Sequence, residues 1–427
     1  KPFSNSLAKF LLAWMEEIEG EFNLGGKDGE IANLKLAHQE YFSIGTKSGT
    51  NLRYGAIGPV DYVKNFKGDR EYMAMHLADG SELSDIVEKQ YRPANESSKD
   101  IVGFIKEFNK ITKNHYNLKT NSLQEIRESK RKLKILVYSQ IYLVNELIRM
   151  WVQKSFFHKH YGIFHADLHM GNMFINIKVN EISKLLGQKK EITYNSIKDF
   201  ARKSPSSLKD SALLSLTMID FGAWGRIKRD TSRGLLNLTA ASVLGTFKGF
   251  QEAMDLIKSG FPQTTYGQSL LRDWDKNKTN PQLKKSIESL MKQEDLGIQE
   301  RLQKILFEVF MMKYQAIPPE SIISFFNGFI ALTNSTRDFE KQIQLMKLKG
   351  LDLDKHSLWA VNGKNSFSDR LQQLVTTDSP QNIVNEKELL SRWNSSYRYL
   401  TPENTKEAKK IIWSIITKNL KPQKVSK

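Results

Sequence analysis

Two short runs of this chain hold residue types that could carry out phosphoryl transfer. The first is His165-Ala166-Asp167-Leu168-His169-Met170-Gly171-Asn172, a polar loop between two apolar segments. Phosphoryl transfer asks little covalent work of a protein. It needs a carboxylate to orient and deprotonate the acceptor, and oxygen ligands to hold Mg²⁺ against the phosphates. Asp167 suits the first task and Asn172, five residues on, suits the second. The other run is Met218-Ile219-Asp220-Phe221-Gly222. An apolar strand delivers Asp220 at its end as the main Mg²⁺ ligand. Phe221 would anchor the turn in the core and Gly222 would permit the bend. Alone, each run also fits an ordinary strand-ending turn. Occurring in this order, each at the edge of a strand inside a helical region, they reinforce each other.

His165, Asp167 and His169 alternate along the first loop, and a zinc site could be drawn from them. That reading, a metal hydrolase, leaves Asp220-Phe221-Gly222 without a role. The preferred reading makes His165 a brace bonded to backbone near the Asp220 turn, and His169 a support behind the metal-site residues.

These loops need strands and helices to hold them. Tyr161–Phe164 and Met173–Ile177 flank the first as short apolar segments, and Leu214–Ile219 leads into the second. Before them, residues 82–158 read as helical. Val137, Ile141, Val144, Ile148 and Trp151 recur on one face of a core helix, and Lys130-Arg131-Lys132 with Lys134 opens it. Residues 6–40 also read as helical. Residues 41–80, cut by glycines, read as a small antiparallel sheet whose last strand is Glu71–Leu77, ended by Gly80. The polar stretch Asn180–Asp210 reads as a partly helical insertion. From Thr231 onward the pattern is helical, with Leu302–Tyr314 and Ile322–Leu332 as examples, the latter after Pro318-Pro319.

Bulk composition narrows the classes. The 427 residues include no cysteine, which excludes disulfides, a Cys nucleophile and thiolate metal sites. Lys and Arg number 64 against 47 Asp and Glu, a net charge of +17, and the basic residues are scattered rather than blocked. This balance suits an anionic partner such as a nucleotide or an acidic membrane surface. No aromatic–basic interleaving points to nucleic acid, so none is expected as partner. No apolar run reaches the ~20 residues of a membrane span, and no signal peptide is visible. The expected location is cytoplasmic, with peripheral membrane contact left open.

Phe164 to Asn172 resembles the catalytic loop of the UbiB/AarF atypical kinase family, typically F-H-A-D-x-H-P-G-N, with Met170 in place of Pro. Ile219-Asp220-Phe221-Gly222 followed by Gly225-Arg226-Ile227 resembles its metal-binding turn and the signature after it. Glu71–Leu83 is similar to the last strand and hinge of that family's N-terminal lobe. This similarity implies that Met75 and Leu77 contact the nucleotide. Glu21-Phe22-Asn23 and Glu30-Ile31-Ala32-Asn33 resemble the E-x-D…E-A-x-N helix, with Asn23 where the family has Asp. Arg233–Leu236 and Pro318–Arg337 match later segments, so the resemblance spans about residues 7–340.

This resemblance implies an α+β, protein-kinase-like two-lobed fold. A small, partial antiparallel N-lobe sheet lies within residues 1–80. A large helical C-lobe covers 81–345, with an insertion at about 180–210, and a helical extension covers 346–427. The implied cofactors are ATP with Mg²⁺ or Mn²⁺. The implied role is that of a kinase or ATPase connected with isoprenoid lipids or quinone biosynthesis, with an isoprenoid lipid or membrane surface as further partner. The family's nucleotide loop, its K-x-G-Q helix and the Lys that would pair with Glu30 normally lie upstream of the E-x-D segment. The chain starting at Lys1 is therefore expected to be N-terminally incomplete. Two other classes remain open. One is a pseudokinase-like lipid- or protein-binding module, which Asn23 favours. The other is a small-molecule phosphotransferase of the aminoglycoside or choline kinase type, which shares an H-x-D-x-x-x-x-N loop.

Overall fold

A computed structural model describes residues 34–37, 52–56, 59–64, 71–75, 77–157, 161–187, 191–202, 213–220, 223–244, 247–258, 274–276, 278–291, 304–305 and 320–353. Most of the helices expected over 6–40 and over Leu302–Tyr314 lie outside these residues, as do the Pro318-Pro319 start signal and the extension beyond 353. Glu21, Asn23, Glu30, Phe221 and Gly222 also lie outside them.

Strands β1 (Leu52–Ala56), β2 (Pro59–Lys64) and β3 (Glu71–Met75) fall within the glycine-cut segment. Only β2 and β3 pair with each other, antiparallel. β1 instead runs parallel to β7 (Leu214–Met218). Together with β4 (Ser81–Glu82) and β6 (Met173–Ile177) they form a four-stranded sheet in the order β1-β7-β6-β4. Strand β7 is buried along nearly its whole length. Its backbone groups on the side away from β6 therefore need protein partners, and β1 supplies them. Gly80 lies between β3 and β4 rather than at the end of β3. Its φ is 100°, and an added Cβ would lie 2.3 Å from the Ile175 carbonyl oxygen, so only glycine admits β4 to the sheet here. Strands β5 (Tyr161–His165) and β8 (Trp224–Lys228) form a separate pair.

After β4 the chain coils from α1 (Leu83–Asp85) through a π-helical stretch, Ile86–Tyr91, into α2 (Arg92–Ser97). Pro93 explains the wider turn. It offers no N–H, and its ring would collide with the carbonyl four residues back in a regular α-helix. In α3 (Ile101–Ile111), Asp100 caps the start by accepting from the Gly103 N–H at 2.8 Å. Ile101, Phe104, Ile105 and Phe108 form its buried face.

Helix α4 (Leu123–Phe157) begins seven residues before the Lys130 cluster. Ser122 and Glu125 make the start signal. The Ser122 hydroxyl accepts from the Glu125 N–H, and the Glu125 carboxylate accepts from the Asn121 N–H. The expected apolar face is buried, but so is every residue from Ile135 to Ile148. This middle stretch of the helix is therefore wrapped on all sides, which is why its polar members Ser139, Gln140 and Glu146 are interior too. The insertion contains α5 (Val179–Leu185) and α6 (Tyr194–Arg202). Tyr194 fastens it to α4: its ring meets Tyr138 and Tyr142, and its hydroxyl accepts from the Asn145 amide at 2.9 Å. Helices α7 (Arg229–Leu244), α8 (Phe247–Ile257), α9 (Pro281–Met291) and α10 (Glu320–Leu348) complete the order. Among the described residues no helix is long and apolar enough to cross a membrane.

The chain divides into two compact units. One holds 1–148, 167–224 and 331–363, and the other holds 149–166, 225–330 and 364–427. The first unit's aromatic core stacks Tyr91 and Phe104 on Phe108. In the second, Trp151, Phe164, Phe325 and Phe329 cluster, with Trp151 and Phe325 centroids 5.2 Å apart. Gly225 lies against the Phe164 ring so closely that a Cβ there would be 2.1 Å away. Phe164→Ala should destabilise the protein by about 3 to 5 kcal/mol through lost ring contacts and the cavity left behind. A lower midpoint with unchanged slope in urea denaturation checks this.

Candidate functional site

The loop from His165 to Asn172 runs from the end of β5 into β6. Its side chains alternate in exposure. His165 and Leu168 are fully buried, whereas Asp167 and His169 are about half exposed. Leu168 thus nails the loop to the interior while the two polar side chains beside it face outward. The backbone just before Asp167 is also fixed. The His165 carbonyl accepts a hydrogen bond from the Trp151 indole at 3.1 Å. The mid-helix Gly328 of α10 approaches the same carbonyl, and a Cβ there would lie 2.5 Å from it. The sequence reading did not single out Gly328. The signal was a lone glycine inside an apolar helical run, which commonly marks a close backbone approach.

Beyond Asp167 the loop closes on itself. The Asp167 carbonyl accepts from the His169 N–H at 3.0 Å and from the Asn172 side-chain amide at 2.9 Å. That second bond uses the amide's donor side, which leaves its oxygen as the ligand-capable atom. Asn172 is buried, so its position is fixed by packing as well as by this bond. The Nδ1 of His169 accepts from the Gly171 N–H at 3.0 Å. An accepting Nδ1 puts the proton of a neutral ring on Nε2. That atom stands 3.7 Å from the Asp167 carboxylate, beyond hydrogen-bond length but close enough to bias its orientation.

Antiparallel pairing of β6 with β7 brings the second run to the first. Met173 faces Met218, and the ladder continues one step past the strands, where the Ile219 N–H donates to the Asn172 carbonyl at 3.1 Å. Asp220 follows at once, exposed, with φ 56°. The left-handed region costs a residue with a Cβ roughly 1 to 2 kcal/mol, less for Asp than for most. A non-glycine residue held there at a strand end is the kind of local strain that accompanies functional sites.

Of the remaining sequence candidates, Met75 ends β3 and Leu77 has a 97% exposed side chain. Glu82, on β4, was not foreseen. Its carboxylate accepts from the Ser84 hydroxyl and lies near Gly171, 3.2 Å from where a Cβ would stand. Only its place directly after the Gly80 turn could have pointed to it.

The oxygen donors that the sequence singles out for a metal are the Asn172 amide and the Asp220 carboxylate, with the Asp167 carboxylate on the same loop as Asn172. Hard oxygen ligands with few carboxylates fit Mg²⁺ shared with phosphate oxygens, so the residues present suit that ion. Among the described residues, no three His, Asp or Glu side chains gather to hold a metal. The zinc set drawn from His165, Asp167 and His169 is therefore not assembled.

The ABC1 atypical kinase-like domain matches residues 118–254, a span that includes both the 165–172 loop and Asp220. No curated protein and no solved structure matches the chain. With the mixed and antiparallel sheets set among helices, this match makes the fold an α+β kinase-like one.

Asp220→Gly should keep or raise stability by up to about 1 kcal/mol, because glycine enters the left-handed region freely. Asp220→Val should lower it by about 1 to 2 kcal/mol. Urea denaturation of the two variants checks this opposite response.

Proposed function

We propose that this chain is a MgATP-using atypical kinase or ATPase of the UbiB/AarF type, with Asp167, Asn172 and Asp220 at its reacting centre. The observation that carries this reading is the Ile219 N–H bond to the Asn172 carbonyl, which joins the two polar runs at one end of the β6–β7 ladder. Their sequence similarity to a catalytic loop and a metal-binding turn, and the atypical kinase-like domain match across both, support it further.

In this reading Asn172 and Asp220 hold Mg²⁺, and Asp167 orients the acceptor and takes its proton. When bound, the metal would neutralise charge on the phosphate oxygens. His169 keeps the turn closed through Gly171 and steers the Asp167 carboxylate. His165 braces the loop from behind, while Phe221 and Gly222 shape the turn after Asp220. At the nucleotide end, Met75 and Leu77 serve as hinge contacts and Glu30 as the partner of a lysine, with Glu21 and Asn23 in support. Residues 1–80 act as the N-lobe part, 81–345 as the C-lobe and 346–427 as an extension. Manganese could replace magnesium on the same donors. Resemblance to the UbiB/AarF branch carries the reading on to isoprenoid lipid or quinone metabolism, with a lipid or membrane surface as partner.

Mg²⁺-dependent phosphate release from ATP tests it. Asp220→Asn and Asp167→Asn should each lower turnover by ~10²-fold or more. Turnover in Asp220→Asn equal to that of the unaltered chain would remove the catalytic reading.

A further inference from the structure

Two features of the sequence have no part in the proposed reaction: the basic cluster near the start of α4, and the 180–210 insertion. In the first unit they meet. Together with the C-terminal end of α10 they enclose a cleft of about 260 Å³. Its basic wall is Arg127, Lys130, Arg131 and Lys134. This three- and four-residue spacing stacks the cations on one face of α4, where like charges repel and weaken a helix. A local arrangement that opposes folding and is still built into the structure needs a counterpart.

The cleft is held in shape. Arg131 donates to the Ser183 hydroxyl at 2.5 Å and to the Gly187 carbonyl at 2.6 Å, both on the insertion. Burial pushes its pKa down, with Glu128 acting the other way. Two carboxylates, Glu191 and Asp352, line the cleft beside the four cations, which leaves the cations in excess. Lys134 is only 18% exposed, and its one ion pair in the cleft is with Asp352, 3.5 Å away and 92% exposed. An exposed carboxylate in such a pair contributes little and is readily displaced. Ile192 and Leu351 give the cleft a buried apolar floor. Tyr194, two residues past Ile192, locks the insertion to α4, and Gly350 ends α10 in the left-handed conformation.

We propose that this cleft binds a phosphate-monoester group on a small substituent. A dianion with three acceptor oxygens matches a guanidinium fork flanked by ammonium groups. The volume lies below that of most small-molecule pockets, which run from roughly 300 Å³ upward, so it holds a phosphate and a short arm rather than a whole nucleotide. No aromatic side chain lines it, so it offers nothing for a nucleobase to stack on. The phosphate could belong to a free metabolite or to a lipid headgroup. The inference stands independently of the proposed kinase chemistry, because none of the residues that carry that chemistry line the cleft.

Calorimetric titration of the full chain with inorganic phosphate and glycerol 3-phosphate, without nucleotide or metal, provides one arm. Sedimentation with phosphatidylcholine vesicles, with and without phosphatidic acid, provides the other. The double variant Arg127→Gln/Lys130→Gln alters two of the four cations and spares the Arg131 bonds. It should weaken binding ~10-fold or more. Asp352→Asn removes the carboxylate paired with Lys134, one of the two that line the cleft, and should tighten binding ~3-fold. Lys110→Gln, an 80% exposed cation on α3 outside the cleft, should change nothing. Binding of glycerol 3-phosphate alone assigns a free compound, and binding of phosphatidic-acid vesicles alone assigns a headgroup. Absence of binding in both arms, or binding that Arg127→Gln/Lys130→Gln leaves unchanged, overturns the proposal.

Discussion

The candidate chemistry depends on one piece of backbone pairing, the antiparallel ladder between β6 and β7 and the bond that extends it from Ile219 to Asn172. Two polar runs nearly fifty residues apart in the chain become neighbours only through it. The register of that ladder is set by apolar burial rather than by the polar residues. Met173, Ile175 and Ile177 alternate into the core from β6, and Leu214, Leu216 and Met218 do so from β7. A slip by one residue would turn these side chains outward and move Asp220 relative to Asn172. The hydrophobic core therefore fixes the geometry of a hydrophilic site.

The same logic operates on either side of the loop. Leu168 is buried between two outward-facing polar residues, and the His165 carbonyl is gripped by the Trp151 indole. Asn172 is tied back to the Asp167 carbonyl. Packing and backbone bonds do the positioning, which leaves the carboxylates of Asp167 and Asp220 at the surface. Among the described residues of these runs, the left-handed backbone at Asp220 is where local conformational preference is overridden.

What could be read from the sequence follows a physical division. Asp167, Asn172 and Asp220 stood out as candidates because each lies in a short motif at a strand edge, and the strands themselves were legible because short apolar runs bounded by polar loops announce them. The buried face of α4 was legible from its periodicity, but its burial on all other sides was not, since that depends on neighbours distant in the chain. Its true start lay in the Ser122–Glu125 capping pair, while the conspicuous Lys130 cluster drew attention seven residues too far along. Strand partners were the least legible feature. Nothing local in Leu52–Ala56 reveals a parallel partner at Leu214–Met218, nor that β5 joins β8 rather than β6. The basic cleft belongs to the same class. Its cations were visible as a cluster, but the insertion and helix end that enclose them are assembled only by the fold.

The central proposal is that Asn172 and Asp220 hold one divalent metal, beside the Asp167 carboxylate, at a site completed by a nucleotide. Electron paramagnetic resonance of Mn²⁺ titrated into the chain with a non-hydrolysable ATP analogue tests this most directly, because it reads the metal whether or not turnover occurs. The account predicts that the chain lowers the free-Mn²⁺ signal beyond what the analogue does alone, and that Asp220→Asn abolishes this excess while the protein stays folded. An equal excess in the unaltered chain and in Asp220→Asn would contradict it.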